Sequence, residues 1–242
     1  MKVGIIADVH SNLIALKKVY EEFERNKVEK IICLGDMIGI GPYPEETMKY
    51  IIENKEKMIC VVGNHEKYFL EGLPETVHDD KRKLSENEIA NHKWMHSQLS
   101  IESENFLKTL PKEKILKIEN KIIYISHYPL NENNEYKVPI KKPTLDQCEE
   151  MFLGIDADIF LCGHSHSKFS YKNKNKIYIN PGSLGCPKGS NIANAVIMDI
   201  KKDNIEYELL NIEYDVNLVI NEINNKQYPA YKSMLRIFYG IE

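Results

Sequence analysis

The sequence predicts an α/β domain built on two sheets. Short β-branched runs alternate with longer helical patterns in the first half, the mark of parallel βαβ units. The second half is richer in strands, and the strands together exceed one comfortable open sheet. Between the halves, residues 68–111 carry little strand signal and much charge, which reads as a helical insertion.

The elements follow in order. "VGII" (Val3 to Ile6) reads as a buried strand. The stretch from Ser11 to Asn26 sets Leu13, Leu16, Tyr20 and Phe23 on one helical face. "IICL" (Ile31 to Leu34) is a second strand. Pro44 opens a helix bearing Met48, Ile51 and Ile52. "ICVV" (Ile59 to Val62) is a third strand. In the insertion, Ser85 and Glu88 form a capping-box pattern for a helix running through Trp94 to about Leu99. "KILKIENKIIYIS" reads as a hairpin turning near Asn120, and "IFLC" as a strand. "KFSYKNKNKIYIN" is a second hairpin with a polar turn, and "NAVIMDIKKDNIEYELLNI" a third turning near Asp203. Helical patterns close the chain over residues 215–242. No linker or repeat interrupts it, so residues 1–242 read as one domain.

Composition narrows the function classes. The 242 residues are 43% hydrophobic, enough for a sizeable core. The 32 basic and 36 acidic residues are well mixed, with net charge −4. No basic field points to long nucleic acid or an anionic membrane. The cysteines, Cys33, Cys60, Cys148, Cys162 and Cys186, are odd in number, and three lie inside apolar runs. Free thiols in a reducing compartment are expected. The first apolar run is broken by Asp8 after five residues, too short for a signal-peptide core. No run approaches the ~20 apolar residues of a membrane span. A cytoplasmic protein is the expectation.

The chemistry gathers where strands end. Asp8 and His10 follow the first strand, Gly35 and Asp36 the second, and Gly63, Asn64, His65 and Glu66 the third. His127 follows "IIYIS", and Gly163, His164, Ser165 and His166 follow "IFLC". Carboxyl ends of parallel strands converge on one edge, where ligands bind. Extended backbone alternates faces, so Asp8 and His10 are expected to aim together, and His164 with His166, leaving Ser165 as a spacer. The glycines are expected to let each strand turn sharply. A lone histidine is ordinarily a core or surface residue; five strand ends that all carry Asp, Asn or His are not explained that way. Seven N and O donors, Asp8, His10, Asp36, Asn64, His127, His164 and His166, are too many for one tetrahedral zinc. They suit two divalent ions sharing a carboxylate.

With these motifs in place, the chain resembles the calcineurin-like metallophosphoesterases. That superfamily carries D-x-H, G-D, G-N-H-[DE], a lone H and G-H-x-H in order, here "DVH", "GD", "GNHE", "SH" and "GHSH". The resemblance implies a four-layer sandwich of two mixed β-sheets flanked by helices. It implies Asp8, His10 and His166 on one metal, Asn64, His127 and His164 on a second, and Asp36 bridging both. His65 would bind no metal and face the phosphate and leaving group, with Glu66 orienting it. The text "GDMIGIGPYPEE" lacks the Asp-Arg pair usual in protein phosphatases of the superfamily. With "NPGSLGCPK", "FLKTLP" and the tail "EYDVNLVI", it is similar to a bacterial and archaeal phosphodiesterase branch.

What this implies is hydrolysis of phosphodiester, nucleotide or dinucleoside polyphosphate bonds by a metal-bridging hydroxide. His65, Asp36 and Asn64 would be catalytic, and Asn64, His65, Ser183 and Lys188 would touch substrate. Lys188 stands where an arginine is frequent in relatives, replacing a bidentate fork by a point charge. Manganese or iron fits the ligands best, with zinc, nickel or cobalt acquired on purification. The expected partner is a small phosphate ester or nucleotide; a homo-oligomer is left open. The alternatives are a phosphomonoesterase or protein phosphatase, a nuclease, and a non-catalytic scaffold, which predicts missing ligands where none is missing. His92 and His96, four apart on a helix, could share a ligand but read as a packed or solvated face; Trp94 and Tyr68 read as core of the insertion; and Cys186, whose loop could approach the site, reads as a bystander. The insertion follows "GNHE" directly, so it is placed to cap the substrate.

Overall fold

The predicted strands form two five-stranded sheets in a computed structural model that describes residues 1–77, 82–174, 176–202 and 204–241. The first half supplies β1 (Lys2–Ile6), β2 (Lys30–Cys33) and β3 (Met58–Cys60), which pair in parallel. The hairpin of β9 (Ile192–Ile200) and β10 (Ile205–Glu213) joins them antiparallel through β1, giving the order β10-β9-β1-β2-β3. Asp203, where this hairpin was expected to turn, lies outside the described residues.

The second sheet has a parallel centre of β5 (Lys121–Ser126), β6 (Ile159–Leu161) and β8 (Lys176–Asn180). Its edges are β4 (Glu113–Ile118) and β7 (Phe169–Asn173), both antiparallel, in the order β4-β5-β6-β8-β7. Both sheets are therefore mixed.

Alternation along the strands builds the layers. Val3, Ile5 and Ile32 face inward and pack against Ile123, Ile125, Ile159, Leu161, Ile177 and Ile179 of the other sheet. Ile6 and Cys33 face outward, beneath α1 (Leu13–Arg25) and α2 (Pro44–Glu53). On the far side, α6 (Leu145–Met151) lays Cys148 and Met151 over Tyr124, Phe160 and Tyr178. Helix, sheet, sheet, helix is the four-layer order expected. No helix among the described residues is long and apolar enough to cross a membrane.

Three boundaries differ from expectation for physical reasons. Helix α1 starts at Leu13 because Asn12 caps it, its Oδ1 accepting from Ala15 N at 3.0 Å. Strand β3 stops at Cys60. Val61 N still donates to Cys33 O, but Val62 N turns to Pro111 O at 3.0 Å, and Val62 O accepts from Tyr136 Oη at 2.6 Å. Helix α3 (Asn64–Glu71) then begins directly on the "GNHE" motif, ahead of residue 68.

The insertion continues as α4 (Glu86–Ser97), with the Ser85 and Glu88 capping box formed, and α5 (Ile101–Lys108). The tail forms α7 (Val216–Lys226), α8 (Tyr231–Met234) and a π-turn at Leu235–Tyr239. The two close on each other. Trp94 stacks on Tyr228 with centroids 4.4 Å apart and planes 9° from parallel, and Asn91 Nδ2 donates to Pro229 O at 2.9 Å. Tyr228 Oη in turn donates to Ile40 O at 2.6 Å, tying both segments to the loop after β2.

Candidate metal centre

The loops leaving β1, β2, β3, β5 and β6 meet at one edge shared by both sheets. The β1 and β2 loops run paired past their strand ends: Asp8 N, His10 N and Ser11 N donate to Gly35 O, Asp36 O and Met37 O at 3.1, 2.9 and 2.9 Å. Gly163 N donates to His127 O at 2.7 Å, joining the second sheet's two loops. The five strand ends thus come together as the sequence indicates, but not by strand alternation. Asp8, His10, Asp36, His164 and His166 all have φ between 47° and 66°. These are left-handed turns that non-glycine residues adopt at a cost of about 1–2 kcal/mol each. The carboxylates and imidazoles of these three loops converge because the backbone coils back on itself after β1, β2 and β6.

The glycines also act differently from expectation. Gly35 does turn, with φ +90. Gly163 instead permits a close approach: a Cβ there would stand 2.8 Å from Ala7 Cβ and 3.1 Å from Asp8 Oδ2. Any side chain would push the two sheets' loops apart.

Asp36 lies at the middle. Its Oδ2 is 3.3 Å from His127 Nε2 and 3.8 Å from His10 Nε2, and its Oδ1 accepts from His65 N at 2.9 Å. That last bond occupies a free N–H in the first turn of α3, where a negative charge is favoured. On one side His127 Nε2 is 3.1 Å from both Asn64 Oδ1 and His164 Nδ1. On the other, His10 Nε2 is 2.9 Å from His166 Nε2, which lies 3.6 Å from Asp8 Oδ1. Two donor clusters result, Asp36 with His127 and His164, and His10 with His166, and Asp36 Oδ2 faces both. His127 Nδ1 is 2.8 Å from Leu34 O and His10 Nδ1 3.2 Å from Ile38 O. A carbonyl only accepts, so Nδ1 carries the proton and Nε2 points at the centre.

Electrostatics fit cations here. Asp8 and Asp36 are buried, and Asp8 Oδ2 has no hydrogen-bond partner among the described residues. Burial pushes the Asp8 carboxyl up to about 7, and the His10 and His166 imidazoles down to about 3. Burial acts against Asp36 as well, yet His127, His65 and His10 hold its carboxyl well below the usual range. His127 shows the reverse balance: burial lowers it, but Asp36 wins and raises it to about 9. In the metal-free chain a proton therefore sits between His127 and Asp36, where a cation would replace it. An orphaned carboxylate oxygen, a shared carboxylate and imidazole lone pairs aimed inward are a donor set for divalent ions.

His65 stands beside both clusters. Its ring centroid is 5.0 Å from that of His10, and burial lowers its pKa well below the ordinary value, leaving a neutral imidazole. Its Nδ1 is buried over Gly39 and has no hydrogen-bond partner among the described residues. On its outer side is His92 of α4, 8% exposed, with centroids 5.3 Å apart. The insertion face bearing His92 and His96 is thus packed, and it forms a wall of the site. Met95 of the same helix accepts from Ser11 Oγ at 3.6 Å.

Glu66 does not orient the His65 imidazole. Its carboxylate accepts from the backbone of Gly63 at 2.6 Å, Asp36 at 2.8 Å and Ile38 at 3.0 Å, bracing the Asp36 loop. Ser183, expected at the substrate, is 1% exposed. Its hydroxyl donates to Asp8 O at 2.9 Å and accepts from Cys186 N at 3.0 Å, so it lies behind Asp8 as a brace. Lys188 is exposed, its own N held by Phe238 O at 2.8 Å, and its charge depresses His166. Ser165 turns from the centre to Asn180 Nδ2 at 3.2 Å. Sequence reasoning missed His92 as a neighbour of His65 and treated Cys186 as a bystander, although its sulfur lies within 4.8 Å of a nitrogen of both His10 and His166.

The profile described as "Calcineurin-like phosphoesterase superfamily domain" matches residues 1–203. The chain is 30% identical to the uncharacterized protein MJ0912 of Methanocaldococcus jannaschii, over 98% of each chain. It is 24% identical to phosphodiesterase YfcE of Escherichia coli, covering 82% of this chain and 88% of that one. Its fold is similar to the crystal structure of hypothetical protein PH1004 from Pyrococcus horikoshii, with a TM-score of 0.82 and 19% identity over 100% of this chain and 99% of that one.

Proposed function

The chain belongs to the calcineurin-like phosphoesterase superfamily, and on that premise we propose that it hydrolyses phosphodiester bonds of a small phosphate ester or nucleotide with two divalent ions, manganese or iron. The observation that carries this reading is Asp36: one carboxylate oxygen faces His127 on one side and His10 on the other. That is the position a bridging ligand needs. Asp8, His10 and His166 would hold the first ion, and Asn64, His127 and His164 the second. When bound, the ions would supply Lewis acidity toward phosphoryl oxygens and an activated water nucleophile.

The chain's own groups account for the rest. Two carboxylates only partly offset two divalent ions, so the centre attracts a phosphate despite the acidic chain, with Lys188 adding positive charge at its rim. Asn64 and His65 stand on the first turn of α3, whose N-terminal dipole favours an anion. The neutral His65 ring has one N–H to donate to the oxygen of the leaving group, help typically worth ~10²–10⁴-fold. The α4 wall restricts water around that ring. The second sheet contributes His127, His164 and His166, so both sheets are needed for one centre.

The test is a substrate panel with added Mn²⁺ comparing phosphomonoesters, phosphodiesters, nucleotides, dinucleoside polyphosphates and phosphoproteins, with metal counted by elemental analysis. The expected result is preferential turnover of phosphodiesters at two ions per chain. His65→Ala should keep its metal and lose most activity on esters with poor leaving groups. Active enzyme holding one ion or none, or full His65→Ala activity on such esters, would overturn the reading.

A further inference from the structure

We infer that Cys186 is a sulfur ligand to the first ion, beside His10 and His166, so that this position prefers thiophilic divalent metals such as zinc, ferrous iron or cobalt over manganese. The inference rests on the two-metal reading and extends it to a residue outside the seven expected ligands.

Three observations support it. Cys186 Sγ and a ring nitrogen of each histidine all lie within 4.8 Å of one another. Two ligands at about 2.0–2.3 Å from one ion stand roughly 3–4.5 Å apart, so the three atoms lie near coordination distance and the sulfur closes the set by moving toward the histidines. Second, the thiol is 4% exposed and forms no disulfide. Among the described residues no other cysteine shares such a cluster.

Third, the loop holding Cys186 is fastened to the loop holding the histidine and aspartate. Leu184 N and Gly185 N both donate at 2.9 Å, to Ala7 O and Asp8 O. Asn12 Nδ2 donates to Gly185 O at 3.0 Å, and Cys186 N to Ser183 Oγ at 3.0 Å. Gly185 presses so close to Val9 O that a Cβ would collide with it. The sulfur's position is therefore set by the same backbone that sets Asp8 and His10. Soft sulfur donors favour zinc and iron, whereas carboxylate and carbonyl oxygen suit manganese. Binding exchanges the thiol proton for the ion: the sulfur–metal bond forms, the proton passes to solvent, and no oxidation state changes.

The test loads the metal-free full chain with Co²⁺, counts cobalt, and records the near-ultraviolet spectrum. Expected is a sulfur-to-cobalt charge-transfer band in the wild type that is lost in Cys186→Ser. Zinc-loaded wild type, examined by X-ray absorption, needs no variant and should show a sulfur shell at about 2.3 Å beside nitrogen and oxygen at about 2.0–2.1 Å. Cobalt bound at two ions per chain without the band, a band that survives in Cys186→Ser, or a zinc shell of nitrogen and oxygen alone would each overturn the assignment. Failure of the wild type to bind any cobalt or zinc would instead bring down the two-metal reading, and the sulfur ligand with it.

Discussion

Glu66→Gln separates the brace of the site from its ligands. In the wild type one buried carboxylate accepts three backbone N–H groups: Oε2 from Gly63 at 2.6 Å and Asp36 at 2.8 Å, and Oε1 from Ile38 at 3.0 Å. Glutamine has one acceptor oxygen. Placed at Oε2 it keeps two bonds and sets its NH₂ against the Ile38 N–H, leaving that buried donor unsatisfied. An orphaned buried donor costs about 1–3 kcal/mol. For a chain of this size 1 kcal/mol moves Tm by roughly 2–4 °C, so a fall of about 2–12 °C is expected. Glu66→Ala orphans all three donors and leaves a void, which puts it among the largest single effects, roughly 4–5 kcal/mol. Because Asp36 N is one of the three, the shared carboxylate loses its backbone anchor. Loss of a partner behind a metal ligand typically weakens metal binding 10–100-fold. The assay is thermal melting of metal-free protein together with Mn²⁺ titration by calorimetry. A Glu66→Gln protein that melts and binds Mn²⁺ as the wild type does would refute the bracing role.

Other perturbations probe the surroundings. Gly39→Ala introduces a Cβ at φ +95 against His65 Nδ1; hydrolysis of poor-leaving-group esters should drop on the order of 10²-fold with metal content unchanged, and equal losses on good and poor leaving groups would argue against displacement of His65. In metal-free protein, His127 is raised from 6.5 to about 9 by Asp36. Its contribution is complete below the unfolded value and is lost as pH rises through the folded one, so Tm of the stripped chain should fall between pH 7 and 9. A flat profile there would contradict the shared proton. Trp94→Ala removes the stack on Tyr228 that joins insertion to tail. A loss of about 2–3 kcal/mol in urea unfolding is expected, with faster amide exchange in α4; unchanged exchange would mean that the stack does not hold the wall.

Much of this architecture was legible in the residues. Alternating β-branched runs and amphipathic stretches located the strands, because burying an apolar face demands those periods. The capping box at Ser85 and Glu88 and the proline at Pro44 marked helix starts through local hydrogen bonding and a fixed φ. The boundary at "GNHE" was not legible. Helix α3 starts there because the Asp36 carboxylate, from a different strand, takes the His65 N–H. Likewise the β3 ladder gives way at Val62 because Pro111 and Tyr136, distant in the chain, take over its hydrogen bonds.

The sequence by itself determined the donor inventory: Asp, Asn and His after five strands whose carboxyl ends share an edge. That follows from local periodicity and the rule for parallel strands. Only the tertiary structure decided how those donors point. Five of the seven expected ligands sit in left-handed backbone, a conformation that remains uncommon even for Asp and His and that a local run of sequence does not impose. Paired loops hold them there by hydrogen bonds between residues as far apart as Asp8 and His164. The same long-range contacts turned Ser183 and Glu66 into braces, set His92 beside His65 and brought Cys186 near His10 and His166. Those contacts span loops from both sheets, the insertion and the tail, so their outcome could not be read from any one segment.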